Sequence, residues 1–148
     1  MKIGIESQRI FRRARHGMDV VALELIRQIQ MLDKNNGYLL FAKSGDENNS
    51  ISDTDNFKKV FLKGSTYPGW EQISLPAAVR KNKVDLLHCT ANTAPYSCGV
   101  PMIVTVHDVI YLEETNFGGS AYQDFGNIYR KLVVPNAILK AAKIVTVS

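Results

Sequence analysis

The apolar positions change period twice within the first forty residues. Ile3-Gly4-Ile5 is a short apolar run that reads as a buried strand. A polar, basic stretch from Gln8 to His16 follows, then Gly17, and from Met18 the apolar positions fall at Val21, Ala22, Leu25, Ile29 and Leu32. Steps of three and four describe one face of an amphipathic helix of about four turns. Asn35-Asn36-Gly37 is expected to end that helix through the left-handed backbone that glycine tolerates. Tyr38 to Ala42 then reads as a second strand, and Ser44 to Asp55, polar around Ile51, as an exposed loop.

The pattern repeats further along. Phe57 to Leu62 predicts a strand, Trp70 to Asn82 a helix interrupted near Pro76, and Val84 to His88 a buried strand. Ile103 to Val106 is another β-branched run. A helical stretch from about Ala121 to Ala142 follows, in which Pro135 imposes a kink or a fresh start, and Ile144 to Ser148 closes the chain as a further strand. Strands separated by helical stretches predict the α/β class, with a mainly parallel sheet carrying helices on both faces.

Composition narrows the class. The 148 residues, 45% hydrophobic, hold one good core and not two, so residues 1–148 are expected to form a single domain. Eighteen Lys and Arg against fourteen Asp and Glu leave a net charge of +4, too modest to call for nucleic acid. The two cysteines, Cys89 and Cys98, form no Cys-x-x-Cys pair and no disulfide framework, which points to a reducing cytoplasm. The longest apolar run, Tyr38 to Ala42, is far short of the roughly 20 residues of a membrane span, and the start carries no secretion signal.

In a parallel α/β sheet ligands collect beyond the carboxyl ends of the strands, which selects four places. After the first strand, Arg9, Arg12, Arg13 and Arg15 precede Gly17 at a helix start. Exposed N–H groups and the positive helix end attract anions there, and a glycine lets a diphosphate come close; the alternative is a solvated basic loop. After Val104-Thr105-Val106 come His107 and Asp108. The imidazole is suited to a phosphate or sugar hydroxyl, unless Asp108 or backbone holds it for structure alone. His88-Cys89-Thr90-Ala91-Asn92 places His88 as a hydrogen-bonded core histidine, Cys89 as a small buried residue, and Asn92 on a sugar or in a turn. Tyr122, Asp124, Tyr129, Arg130 and Lys131 read as a solvated helical face. His16, His88 and His107 show no metal-ligand spacing, so no metal and no cofactor are expected. Neither a Gly-x-Gly-x-x-Gly fingerprint after the first strand nor a P-loop is present.

Taken together, Ile3-Gly4-Ile5 with His16-Gly17-Met18, Trp70-Glu71-Gln72-Ile73-Ser74-Leu75-Pro76 with Asp85-Leu86-Leu87-His88, Val104-Thr105-Val106-His107-Asp108, and Val134-Pro135 leading to Ala142-Lys143-Ile144-Val145-Thr146-Val147-Ser148 resemble, nearly end to end, the N-terminal half of family 4 retaining glycosyltransferases. Those enzymes have the GT-B architecture of two facing Rossmann-like domains. The resemblance implies an acceptor-side Rossmann-like domain whose partner, the C-terminal donor-binding domain with its Glu-x7-Glu pair, is absent from this chain. No two glutamates here stand eight apart, so the chain alone is expected to be inactive.

By the same resemblance His107 is the catalytic residue near the donor sugar, Gly17 and Met18 approach its diphosphate, Asp108 orients His107 or binds acceptor, and Asn92 and Arg15 contribute to substrate binding. The implied reaction moves a hexose, mannose or glucose, from a GDP- or UDP-sugar to a saccharide or lipid-linked acceptor. Peripheral attachment to the inner face of the membrane through Arg9, Arg12, Arg13 and Arg15 belongs to that expectation. One departure stands out: where many members have Gly-x-Gly, this chain has Gly17-Met18-Asp19, which puts a carboxylate near the phosphate unless Asp19 faces away as a helix-start acid. The competing expectation is a stand-alone, non-catalytic α/β domain that binds a phosphate or nucleotide.

Overall fold

A computed structural model describes residues 1–11, 15–45, 50–109, 112 and 121–147, with side chains in the last segment from Phe125 onward. Arg12 and Arg13, and the side chains of Tyr122 and Asp124, therefore lie outside the described residues. Strand β1 is Lys2–Glu6, helix α1 Gly17–Leu32, β2 Gly37–Lys43 and β3 Phe57–Leu62. A single turn α2, Tyr67–Gly69, leads through a π-helical turn, Trp70–Ser74, into α3, Leu75–Lys81. Then come β4, Leu86–Cys89, β5, Met102–Val106, α4, Ala121–Lys140, and β6, Lys143–Thr146.

The six strands form one sheet in the order β3-β2-β1-β4-β5-β6, and every neighbouring pair is parallel. This is a Rossmann-like α/β fold, with the order reversing between β1 and β4. Alternation along each strand sends side chains to two cores. Ile5, Tyr38, Leu40, Ala42 and Phe57 pack with Ala22, Leu23 and Ile26 of α1 on one face. Phe41, Leu87, Cys89, Met102 and Val104 pack on the other face with Trp70, with Leu75, Ala78 and Val79 of α3, and with Ala137 of α4. Gly4 stands in β1 where the packing leaves no room for a side chain, since a Cβ there would lie 2.8 Å from the Phe41 ring.

Expectations at the end of α1, at Pro76 and at Ile51 are corrected. Helix α1 ends at Leu32 without a left-handed glycine: Asp33 caps it in extended conformation, and Gly37 opens β2. The Asp33 carboxylate accepts from the Asn35 and Asn36 N–H groups, the Asn36 amide and the Tyr38 hydroxyl, and these bonds hold it well below the usual carboxylate range. Pro76 does not interrupt a helix but lies in the first turn of α3. Its ring would crowd the carbonyl four residues back in a regular helix, and the wider preceding turn, in which the Leu75 N–H reaches the Trp70 carbonyl, relieves that conflict. Pro135 lies inside α4, which continues through it to Lys140. Ile51, expected in an exposed loop, is buried against the α1 core, while Ser52 to Asp55 are exposed. Among the described residues no helix is long and apolar enough to cross a membrane.

Candidate functional site

Parallel strands put all their carboxyl ends on one edge of the sheet, and in this order the switch point lies between β1 and β4. Glu6 ends β1, Thr90 and Asn92 follow β4, and His107 and Asp108 follow β5. Helix α1 leaves the same edge, because it returns from the tip of β1.

His107 is half-buried, and two residues from the β4 tip fix it. Its backbone N–H donates to Asn92 Oδ1 at 2.7 Å, and its Nε2–H donates to the Thr90 carbonyl at 2.7 Å. A carbonyl can only accept, so the neutral ring carries its proton on Nε2 and presents Nδ1 as an acceptor. Nδ1 makes no hydrogen bond to a described residue. Thr90 and Asn92 hold the His107 ring and main chain, and the Asp108 carboxylate accepts from Asn92 Nδ2 at 3.3 Å. His107, Asn92 and Asp108 are thus brought together.

Gly17 and Met18 begin α1 on the same edge. Gly17 is exposed, and a Cβ built on it would meet nothing within 4 Å. The N–H groups of Gly17 and Met18 have no acceptor among the described residues, as the first turn of a helix leaves them. Asp19 is buried and turned onto the helix start, where its Oδ2 accepts from the His16 N–H at 2.9 Å; it is a capping acid. Arg15 is directed elsewhere: its Nε donates to the Ile10 carbonyl at 2.8 Å and its Nη2 to the Ser50 hydroxyl.

His88 is the core histidine its position implied. It is 9% exposed, its Nε2 lies 2.8 Å from the Thr105 hydroxyl, and burial lowers its pKa to about 4. Cys89 is fully buried, and burial pushes its thiol up, away from reactivity.

A buried polar cluster behind the tips is the feature that sequence reasoning missed. Glu71 is 0% exposed, and its carboxylate accepts four hydrogen bonds. Tyr67 OH at 2.8 Å and Thr93 Oγ1 at 2.5 Å donate to Oε1; Gln72 Nε2 at 3.1 Å and Tyr129 OH at 2.5 Å donate to Oε2. Burial raises the Glu71 carboxyl against the pull of those four donors, and burial with the nearby Glu71 charge raises Glu6. Glu6 in turn accepts from the Gln8 N–H and from the Thr90 hydroxyl. The Arg9 guanidinium lies 5.5 Å over the Tyr67 ring as the cation of this cluster. Tyr129, expected on a solvated face, points its hydroxyl inward. The only sequence signal was the spacing of Tyr67 and Glu71, four apart and so on one helix face; Thr93 and Tyr129 come from distant segments.

Among the described residues no group of three or more His, Cys, Asp or Glu side chains is arranged to hold a metal ion. No family model, curated protein or solved structure matches the chain. Fold and site together define a Rossmann-like α/β domain with a polar, histidine-bearing edge at the strand tips.

Proposed function

We propose that this chain is the acceptor-side domain of a retaining, family 4 glycosyltransferase of GT-B architecture, with His107 at the reacting centre. The observation that carries the reading is the imidazole at the β5 tip, held by its Nε2–H on the Thr90 carbonyl with Nδ1 left for a ligand. A neutral Nδ1 accepts a hydrogen bond from a sugar hydroxyl; a protonated one donates to a phosphate oxygen. The motif resemblance supplies the reaction class, and the open first turn of α1 at Gly17 and Met18 suits a diphosphate.

In the reaction so proposed, the C1–O bond from the hexose to GDP or UDP breaks as the hydroxyl oxygen of a saccharide or lipid-linked acceptor bonds to C1 from the same face, and the hydroxyl proton passes to the departing phosphate oxygen. His107 and the α1 N–H groups stabilise charge that develops on the leaving phosphate. Closure of a second, donor-binding domain over this edge excludes water. Asp108 stands beside His107 as a contact for sugar or acceptor hydroxyls, whereas Asn92, buried with Oδ1 and Nδ2 both bonded, holds the turn rather than substrate.

The test is His107→Ala in the full-length protein with a screened nucleotide-sugar donor. Transfer is expected to fall by about 100-fold or more, the scale on which a positioned proton donor or acceptor acts, while the thermal midpoint moves little. An unchanged transfer rate removes His107 from the reacting centre.

A further inference from the structure

The residue that holds His107 is itself in an unusual backbone state. Asn92 has φ +62°, in the left-handed region, and the Thr93 N–H closes a three-residue turn around it on the Ala91 carbonyl at 2.7 Å. A turn of this kind with positive φ at its centre is rare and strained, and such strain persists only where the surroundings over-determine it. Asn92 is 3% exposed and its bonds all point to one task. Its N–H donates to the Thr105 carbonyl at 3.0 Å, its Oδ1 accepts from the His107 N–H, and its Nδ2 donates to Asp108.

The far end of the turn is pinned by Thr93, which is 2% exposed. Its hydroxyl lies 2.5 Å from Glu71 Oε1 and 2.7 Å from the Tyr67 hydroxyl. Glu71 is presented from the π-helical turn, an irregularity that shifts side-chain direction relative to a regular helix. A buried carboxylate costs more than an apolar side chain of the same volume. What it supplies here is a fixed point for four donors, one of them at the end of the strained turn.

We propose that Glu71 is a positioning residue for His107. Through Thr93 it holds the 91–93 turn in its strained form, which keeps Asn92 on the His107 main chain and the Thr90 carbonyl on Nε2, so that the ring stays in one tautomer with Nδ1 toward ligand. This role deepens the transferase reading and rests on it for its consequence.

The experiment reads the His107 tautomer directly, by long-range 1H–15N correlation on the 15N-labelled 148-residue chain with its neutral imidazole. The wild type is expected to show the Nε2–H form alone. Glu71→Gln, which puts an amide N–H against donors, and Thr93→Val, which removes only the hydroxyl link, are both expected to show a mixture of Nε2–H and Nδ1–H forms. Tyr129→Phe, which takes the α4 hydroxyl from the same carboxylate and leaves the Thr93 link, is expected to keep the single form. A single tautomer in folded Thr93→Val overturns the proposal, even where Glu71→Gln fails to fold, and mixing of equal size in Tyr129→Phe overturns it as a generic loosening. In the full-length protein Thr93→Val is expected to lower kcat by about ten-fold or more with KM little changed, as misplacement of a reacting group does. Mixed tautomers combined with transfer that neither Thr93→Val nor His107→Ala alters overturn the transferase reading, and with it the consequence assigned to Glu71.

Discussion

His88 stands on β4 with its Nε2 2.8 Å from the Thr105 hydroxyl, and burial holds its pKa near 4 against an ordinary 6.5. The folded chain therefore binds fewer protons at this site than the unfolded chain between those two values. Stability at His88 is intact above about pH 6.5 and is lost as pH falls toward 4, by about 2 kcal/mol at pH 5. Glu6 and Glu71, whose carboxyls are raised, bend the curve the other way in the acid range, so the effect is read as a difference between variants. In urea unfolding, the gap in stability between wild type and His88→Gln is expected to shift by about that amount against wild type from pH 7.5 to pH 5. A gap that stays constant with pH shows that His88 titrates normally. The core role of His88 was legible in the sequence because it closes an apolar run that reads as a buried strand. Glu71 was not, since its four donors come from Tyr67, Gln72, Thr93 and Tyr129, and no local spacing announces a partner 58 residues away.

At the scale of elements, two glycines on either side of the loop between β1 and α1 carry opposite constraints. Gly4 lies inside β1, and a Cβ there would meet the Phe41 ring at 2.8 Å, Val84 at 3.2 Å and Leu87 at 3.3 Å. Phe41 and Leu87 are fully buried, so room must come from the core itself, and Gly4→Ala is expected to cost about 1–3 kcal/mol. Gly17 opens α1 onto empty space, so Gly17→Ala is expected to leave the thermal midpoint unchanged or slightly higher. On the proposed transferase reading it is expected to weaken binding of a nucleotide-sugar donor, because the added methyl occupies the approach to the first-turn N–H groups. Thermal melts of both variants with a nucleotide-sugar titration separate the two cases; full donor affinity in Gly17→Ala contradicts the diphosphate contact. Elements of this kind were readable because period-2 and period-3.6 patterns are local: all six strands and helices α1 and α4 fall where the apolar positions put them. What was not readable arises from competition within a segment. Asp33 supplied the end of α1 that Asn35-Asn36-Gly37 advertised, and the conflict at Pro76 was resolved by widening the preceding turn rather than breaking the helix.

For the whole molecule, the strand order decides what the edges expose. No periodicity encodes that β1 is central and that β3 and β6 flank the sheet; the order follows from long-range pairing. The two edges differ in chemistry. β3 carries Lys58 and Lys59 along its length, charges of the kind that discourage another strand from adding to an edge. β6 is exposed at all four residues, with Lys143 only at its start and with Ile144 and Val145 46% and 40% exposed. An open, β-branched edge of this type pairs with other chains unless something covers it, as a second domain packed along it would. The 148-residue chain is therefore expected to self-associate through β6. In sedimentation velocity its weight-average coefficient should rise with concentration, whereas Ile144→Lys, which sets a charge on the exposed edge, should hold the coefficient flat without lowering the thermal midpoint. Equal concentration dependence in the two proteins would place the association elsewhere and leave β6 a passive edge.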